Sequence, residues 1–184
     1  YNLAIVEDNP YRDLCFTRIP LPPIKSFDTE GRVIYLRSFS KIFCPGFRLS
    51  FVVAESDVIR KMVIARQFED ACANMFGQYL LVEFIKRGYL DRQIEKNREH
   101  YRIKRDAMLS LLEKHFPEKV KWNRPEGGFF IFVHMPEGVD GEALLHEAVD
   151  QNVAFVAGSP FFIDGGGRNT FRLSYAQLSI DEME

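Results

Sequence analysis

The segment Val33-Ile34-Tyr35-Leu36-Arg37-Ser38-Phe39-Ser40-Lys41 constrains this chain more than any other. Its apolar start reads as a β-strand. The strand runs out on two hydroxyls and a lysine instead of ordinary turn formers. Pro45-Gly46 marks a turn that carries the chain on to Arg48, and Leu49, Phe51 and Val53 then alternate as a further strand. Upstream, Leu3-Ala4-Ile5-Val6 is a second short apolar run that stops at Glu7-Asp8-Asn9-Pro10-Tyr11. Asp8 and Tyr11 are thereby expected just past the carboxyl end of a strand, which in open α/β sheets is the end where ligands bind.

The residue types at these two strand ends share one chemistry. An amine is a nucleophile only when unprotonated, a state favoured by desolvation and by nearby cations. Ser38 and Ser40 can donate hydrogen bonds to phosphate oxygens, and the Arg48 guanidinium offers a planar, permanently charged fork for the same group. A lysine so placed can hold a phosphorylated aldehyde as a Schiff base, which points to pyridoxal phosphate. A carboxylate such as Asp8 keeps a pyridinium nitrogen protonated, and the Tyr11 phenol can bond a ring oxygen. Each motif also has a plain reading: a solvated lysine beside a turn, or Asp8-Asn9-Pro10 as simple turn formers.

Near the end of the chain, Phe171, Leu173 and Tyr175 alternate with Arg172, Ser174 and Ala176. This is strand patterning with the arginine on the face opposite the aromatics. An arginine there can clamp a carboxylate bidentately. It also fits an exposed arginine on an edge strand.

Four ordered blocks carry a family resemblance: Glu7-Asp8-Asn9-Pro10-Tyr11-Arg12-Asp13-Leu14, the stretch from Gly31-Arg32 to Ser40-Lys41, Arg124-Pro125-Glu126-Gly127-Gly128-Phe129-Phe130, and Phe171-Arg172-Leu173-Ser174. In order and spacing they resemble the fold-type I pyridoxal-phosphate aminotransferases of class I/II. The likeness is to the branch with the 2-aminoadipate, kynurenine and aromatic aminotransferases, and to the aminotransferase-like effector domains of MocR-type GntR regulators. The resemblance implies an α/β fold: part of the aspartate aminotransferase-like large domain, followed by a small α+β C-terminal domain. It makes Lys41 the catalytic Schiff-base lysine and Asp8 the partner of the pyridine nitrogen. Tyr11 is implied to bond the ring oxygen, Ser38, Ser40 and Arg48 to hold the phosphate, and Arg172 to bind the substrate α-carboxylate.

The implied function is ping-pong exchange of an amino group between an α-amino acid and a 2-oxo acid, with pyridoxal 5'-phosphate as cofactor. The alternative is a pyridoxal-phosphate-binding effector domain of a regulator; a lyase of the same fold ranks lower. Relatives are homodimers, with residues from about 56 to 90 as candidate interface. The resemblance reaches only the cofactor-lysine part of the large domain (residues 1–90) and most of the small domain (91–184). The chain is therefore expected to be a truncated fragment, not catalytically competent alone and prone to unusual association through exposed apolar surface.

Composition fits a cytosolic globular piece. A hydrophobic fraction of 46% with 17 Phe suffices for a core, and a net charge of −2 suggests neither disorder nor a nucleic-acid surface. No run approaches a membrane span, and nothing at Tyr1 looks like a signal peptide. Cys15, Cys44 and Cys72 lack paired spacing, so reduced thiols are expected. His100, His115, His134 and His146 have no metal-ligand spacing, and no metal is assigned. The run Gly165-Gly166-Gly167 lacks the Lys-Ser/Thr of a phosphate loop and reads as a plain loop.

The remaining pattern predicts strands near 2–7, 33–37 and 48–54 and a long helical region whose apolar face runs Val58, Met62, Ala65, Phe68, Ala71, Met75, Tyr79. Gly88 is expected to break it before a second long helix from Asp91 to Lys114. Strands near 119–123, 128–134 and 153–156, a helix near 140–151 and the Arg172 strand complete the reading.

Overall fold

The computed structural model describes residues 3–70 and 72–184. Contacts divide the chain into two compact units, one ending at Arg98 and the other starting at Glu99. The division falls inside the second long helix.

In the first unit, β1 (Ile5–Asp8) pairs in parallel with β2 (Val33–Ser38), in the register Ile5↔Val33 to Asp8↔Leu36. Antiparallel to β2 lies β3 (Ser50–Val53), with Ser38 opposite Ser50. A parallel pair needs a crossover, and here residues 9–32 supply it with two 3₁₀ turns, Arg12–Leu14 and Ile24–Phe27. The crossover is tied down by acids. Glu7 accepts from the backbone N–H groups of Ile24 and Lys25, each at 3.0 Å. Asp28 accepts from the Lys25 ammonium at 2.8 Å, from Val33 N–H at 2.9 Å and from Arg32 N–H at 3.0 Å.

These bonds, the Lys25 ammonium first and Val33 N–H second, hold the Asp28 carboxyl well below the usual carboxylate range. A depressed carboxylate stabilises the fold fully above its unfolded value, about 3.9, and loses that contribution as pH falls through the lower folded value. Asp28→Asn is therefore expected to lower the urea midpoint at neutral pH, with the gap to the unsubstituted chain closing below about pH 3.9. A gap that stays constant on acidification would refute this role.

The predicted single helical region is two helices, α1 (Ser56–Glu69) and α2 (Met75–Lys86). Asn74 starts the second: its side chain caps Gly77 N–H at 2.9 Å. Ala71, which the apolar-face pattern includes, lies outside the described residues. No residue of α1 is buried, and Met62, Val63, Ile64 and Phe68 are all exposed. Gly88, at φ 69°, takes the left-handed conformation that ends α2 before α3 (Tyr89–His115).

The second unit holds a four-stranded antiparallel sheet in the order β4 (Lys121–Trp122), β5 (Phe130–His134), β7 (Thr170–Ser174), β6 (Val156–Ala157). The helix α4 (Gly141–Asp150) is capped by Asp140, and the four-residue helix α5 (Ile180–Met183) opens on a Ser179/Glu182 capping box. The strand predicted near 153–156 is displaced to Val156–Ala157, because its pairing with β7 runs from Val156 opposite Arg172 to Ala157 opposite Phe171. Ile131, Val133, Phe171 and Tyr175 form the buried side of the sheet. Burial pushes the Tyr175 phenol well above its usual range, so it stays a neutral donor to the Gly128 carbonyl at 2.8 Å.

Gly158, the residue before the 3₁₀ turn Ser159–Phe161, packs its Cα directly on β7. Its N–H donates to the Thr170 carbonyl at 2.8 Å. A methyl group there would overlap Thr170 Oγ1 and lie 2.8 Å from the Thr170 carbonyl carbon. Gly158→Ala is expected to destabilise the unit by about 1–3 kcal/mol through overpacking. A denaturant midpoint that does not fall would contradict this packing.

Candidate active site

The parallel register brings the carboxyl ends of β1 and β2 to one sheet edge, and most of the sequence-derived candidates gather there. Asp8 is the last residue of β1, its side chain exposed and without a hydrogen bond or ion pair among the described residues. Beyond it Asn9 N–H donates to the Leu36 carbonyl at 3.0 Å, extending the pairing by one bond.

Tyr11 is held by the short turn that follows, since Leu14 N–H donates to its carbonyl at 2.9 Å. That turn is anchored by Leu14, which is fully buried, and by Asp13, whose carboxylate pairs with Arg37 of β2. Arg98 adds a bond of 2.7 Å from its Nε to the Asp13 carbonyl. Arg37 and Asp13 are thus a brace beneath the site. Sequence reasoning did not single them out, although both lie inside the motif blocks.

Past β2 the chain coils into a tight turn: Phe43 N–H donates to Phe39 O at 2.8 Å and Ile42 N–H to the same carbonyl at 3.2 Å. Ile42 is 1% exposed and plugs the turn into the unit, leaving the neighbouring Lys41 half-buried at the edge. Its Nζ lies 5.9 Å from the Tyr11 ring centroid, which joins the two strand ends into one cluster. Ser38 Oγ accepts from Ser40 N–H at 3.1 Å, a bond that spends a lone pair and leaves the hydroxyl proton to donate elsewhere.

Arg48 is not in a strand, as the pattern had predicted, but at φ 54°, left-handed. Such a conformation is uncommon for a residue with a Cβ and clusters at functional sites. The turn Pro45–Phe47 before it is pinned by rings: Phe43 stacks on Phe47 with centroids 5.7 Å apart, and Phe43 meets Phe84 of α2 at 5.1 Å. The Arg48 guanidinium is exposed and its one protein bond is to the Pro45 carbonyl at 3.3 Å, so its charge has no counter-ion among the described residues.

Arg172 belongs to the second unit. Its face of the sheet lies opposite Phe171 and Tyr175, as the alternation predicted, and carries aromatic rings of its own. Phe130 and Phe132 project on the same side from β5, and Phe161 comes from the 3₁₀ turn; the guanidinium carbon lies 3.9 Å from the Phe130 centroid and 4.8 Å from that of Phe161. The Arg172 side chain is half-buried, makes no ion pair or hydrogen bond among the described residues, and has a buried, undonating Nε. An arginine so enclosed lacks the anion that would offset its desolvation. Period-2 reading of β5 does put Phe130 and Phe132 on one face, but only the pairing of β5 with β7 says which strand faces them.

The carboxylate, phenol, amine, hydroxyls and guanidinium at the first sheet edge match the polar groups of a phosphorylated pyridine aldehyde. The chain belongs to the aminotransferase class I and II family, whose profile matches residues 1–184. It is 47% identical over 183 residues to aromatic-amino-acid aminotransferase 1 of Thermococcus litoralis, covering 100% of this chain and 44% of that protein. Among solved structures it matches Pyrococcus horikoshii kynurenine aminotransferase, in complex with PMP, at a TM-score of 0.95 and 44% identity, covering 100% of this chain and 45% of that one. It is also 32% identical over 182 residues to an uncharacterized HTH-type transcriptional regulator of Bacillus subtilis, covering 99% of this chain and 37% of the regulator. The chain therefore spans less than half the length of these relatives.

Proposed function

We propose that the protein containing this chain is a pyridoxal-phosphate-dependent aminotransferase acting on an α-amino acid and a 2-oxo acid. The observation that carries this reading is the joining of Asp8, Tyr11, the Ser38–Ser40 turn and Lys41 at the carboxyl ends of two parallel strands. The cofactor, when bound, supplies an electron-withdrawing ring that makes the substrate α-proton acidic.

The chain's own residues then have separate tasks. Asp8, with no competing partner among the described residues, holds a proton on the ring nitrogen. Tyr11 donates to the ring oxygen, while Ser38, Ser40 and Arg48 take the phosphate through hydroxyl protons and an uncompensated charge. Lys41 moves the proton off and back onto the substrate α-carbon as general base and acid. Arg172 binds the α-carboxylate, the anion its enclosed guanidinium lacks. Aromatic or long dicarboxylic side chains are the proposed substrates, after the similar relatives.

Exposed apolar side chains on α1 and α2, including Phe68, Phe76 and Tyr79, support a homodimer of the whole protein. Cys15, Cys44 and Cys72 are free thiols, which supports a cytoplasmic location. Domain limits near residues 90 and 91 are proposed for the full-length protein.

Similarity to the HTH-type regulator favours a second reading, a ligand-sensing domain with the same cofactor site. Titrating the full-length protein, loaded with pyridoxal phosphate, with a panel of amino acids separates the two. Conversion of the visible cofactor band to the pyridoxamine form supports the enzyme. A band that amino acids never convert supports the regulator, and the absence of any band overturns the cofactor assignment.

A further inference from the structure

We infer that Phe130 and Phe161 are positioning residues for Arg172: the two rings clamp its guanidinium so that only its terminal nitrogens are presented to a carboxylate. The inference rests on the reading of Arg172 as the carboxylate-binding residue and adds how the protein aims it.

Several other arginines of the described chain are aimed by acids. Arg37 pairs with Asp13, Arg105 with Asp106 at 2.7 Å, and Arg102 with Glu99 at 2.8 Å and Asp106 at 3.4 Å. An acid would do this badly at a carboxylate site, because it already neutralises the charge that the ligand needs and repels the ligand itself. Arg172 is held instead by rings at 3.9 and 4.8 Å, distances within the range of cation–π attraction. The rings orient the plane of the guanidinium without consuming an N–H, and their apolar bodies exclude water, which strengthens whatever ionic bond the free edge makes.

Nε is buried, and the terminal nitrogens are the part of the fork left accessible, so an incoming carboxylate meets the fork end-on. Phe161 is itself set by Gly158, the glycine that seats its turn on β7, since Phe161 N–H donates to the Gly158 carbonyl at 2.9 Å. Phe132 backs the arrangement, with its centroid 5.9 Å from that of Phe161 and its backbone opposite Arg172.

The test uses the full-length, cofactor-loaded protein and the non-reacting probe 3-phenylpropionate, with its uncharged amide as control, measured by titration calorimetry. Phe161→Leu removes one ring face and is expected to weaken 3-phenylpropionate binding roughly fivefold or more while leaving the amide unchanged. Phe161→Tyr, which keeps the face, is expected to restore binding to within about twofold. In turnover, Phe161→Leu raises KM for the 2-oxo acid with kcat nearly unchanged. Phe161 is 47% exposed on a short turn, so this variant is the safer one for folding; Phe130→Leu repeats the test from the sheet.

Arg172→Leu separates the two levels of the argument. If it weakens carboxylate binding but Phe161→Leu and Phe130→Leu do not, the clamp is refuted and the carboxylate reading stands. If Arg172→Leu itself leaves carboxylate binding unchanged, the underlying reading fails and the clamp with it. Equal weakening of acid and amide by Phe161→Leu would mean simple apolar contact and would also refute the clamp.

Discussion

Replacing Lys41 by alanine in the full-length protein is expected to slow amino transfer by about 10³-fold or more, since proton movement by a positioned side chain contributes on the order of 10²–10⁴-fold. The visible cofactor band that depends on this lysine is expected to disappear with it. The fold should be indifferent to the change. The turn that carries Lys41 is closed by backbone bonds from Ile42 and Phe43 to Phe39 and plugged by the buried Ile42, none of which involves the lysine side chain. The measurement is kcat at saturating amino acid beside the thermal midpoint of the same preparation. A rate within tenfold of the parent, with the midpoint unchanged, would remove Lys41 from the mechanism. A collapse of both would show that Lys41 holds the turn together, contrary to the packing described.

Arg172→Leu is expected to lower kcat/KM by roughly 10²-fold to 10³-fold, because truncating one partner of a desolvated, hydrogen-bonded charge pair costs about 2–5 kcal/mol. The loss should fall mainly on KM. Its companion prediction runs the other way for stability. With no bound anion, the Arg172 guanidinium is half-buried against Phe130 and Phe161 with no ion pair among the described residues and an undonating Nε. An apolar side chain of similar reach removes that uncompensated desolvation, so the variant's unfolding midpoint without substrate should equal or exceed the parent's. A residue that served only to hold the sheet together would lose stability on substitution. A lowered midpoint with an unchanged KM would make Arg172 structural and end its assignment to the carboxylate.

Exposed apolar residues bear on any use of the isolated chain. The β1 residues Ile5 and Val6 are exposed, although strands of parallel sheets normally bury both faces, and α1 buries none of its side chains. Covering surface is thus expected from the remainder of the protein or from a second subunit, and the substitutions above are framed for the full-length protein for that reason.

Much of the candidate site was legible because it depends on local order. A strand followed by Ser38-Phe39-Ser40-Lys41 places the lysine at a strand end whatever the rest of the chain does, and Gly88 ends a helix by its own backbone freedom. Local signals were weaker where a breaker is not a glycine or proline. The boundary between α1 and α2 rests on the Asn74 cap, which the continuous apolar spacing across residues 58–79 obscured. Strand limits shifted where pairing sets them, as at Val156–Ala157, since a strand extends only as far as it finds a partner.

The sequence by itself determined most strands and the long helices in order and which side chains carry reactive groups, because short-range periodicity and turn chemistry are properties of consecutive residues, while the fold class followed from the family resemblance of its four motif blocks. Only the tertiary structure decided which distant residues meet. The parallel register of β1 with β2 set Tyr11 beside Lys41, and Asp13 found Arg37 to brace the turn beneath them. The pairing of β5 with β7 closed aromatic rings over Arg172. Each is a contact between segments far apart along the chain, fixed by register and burial of the whole sheet, and no local pattern encodes the partner.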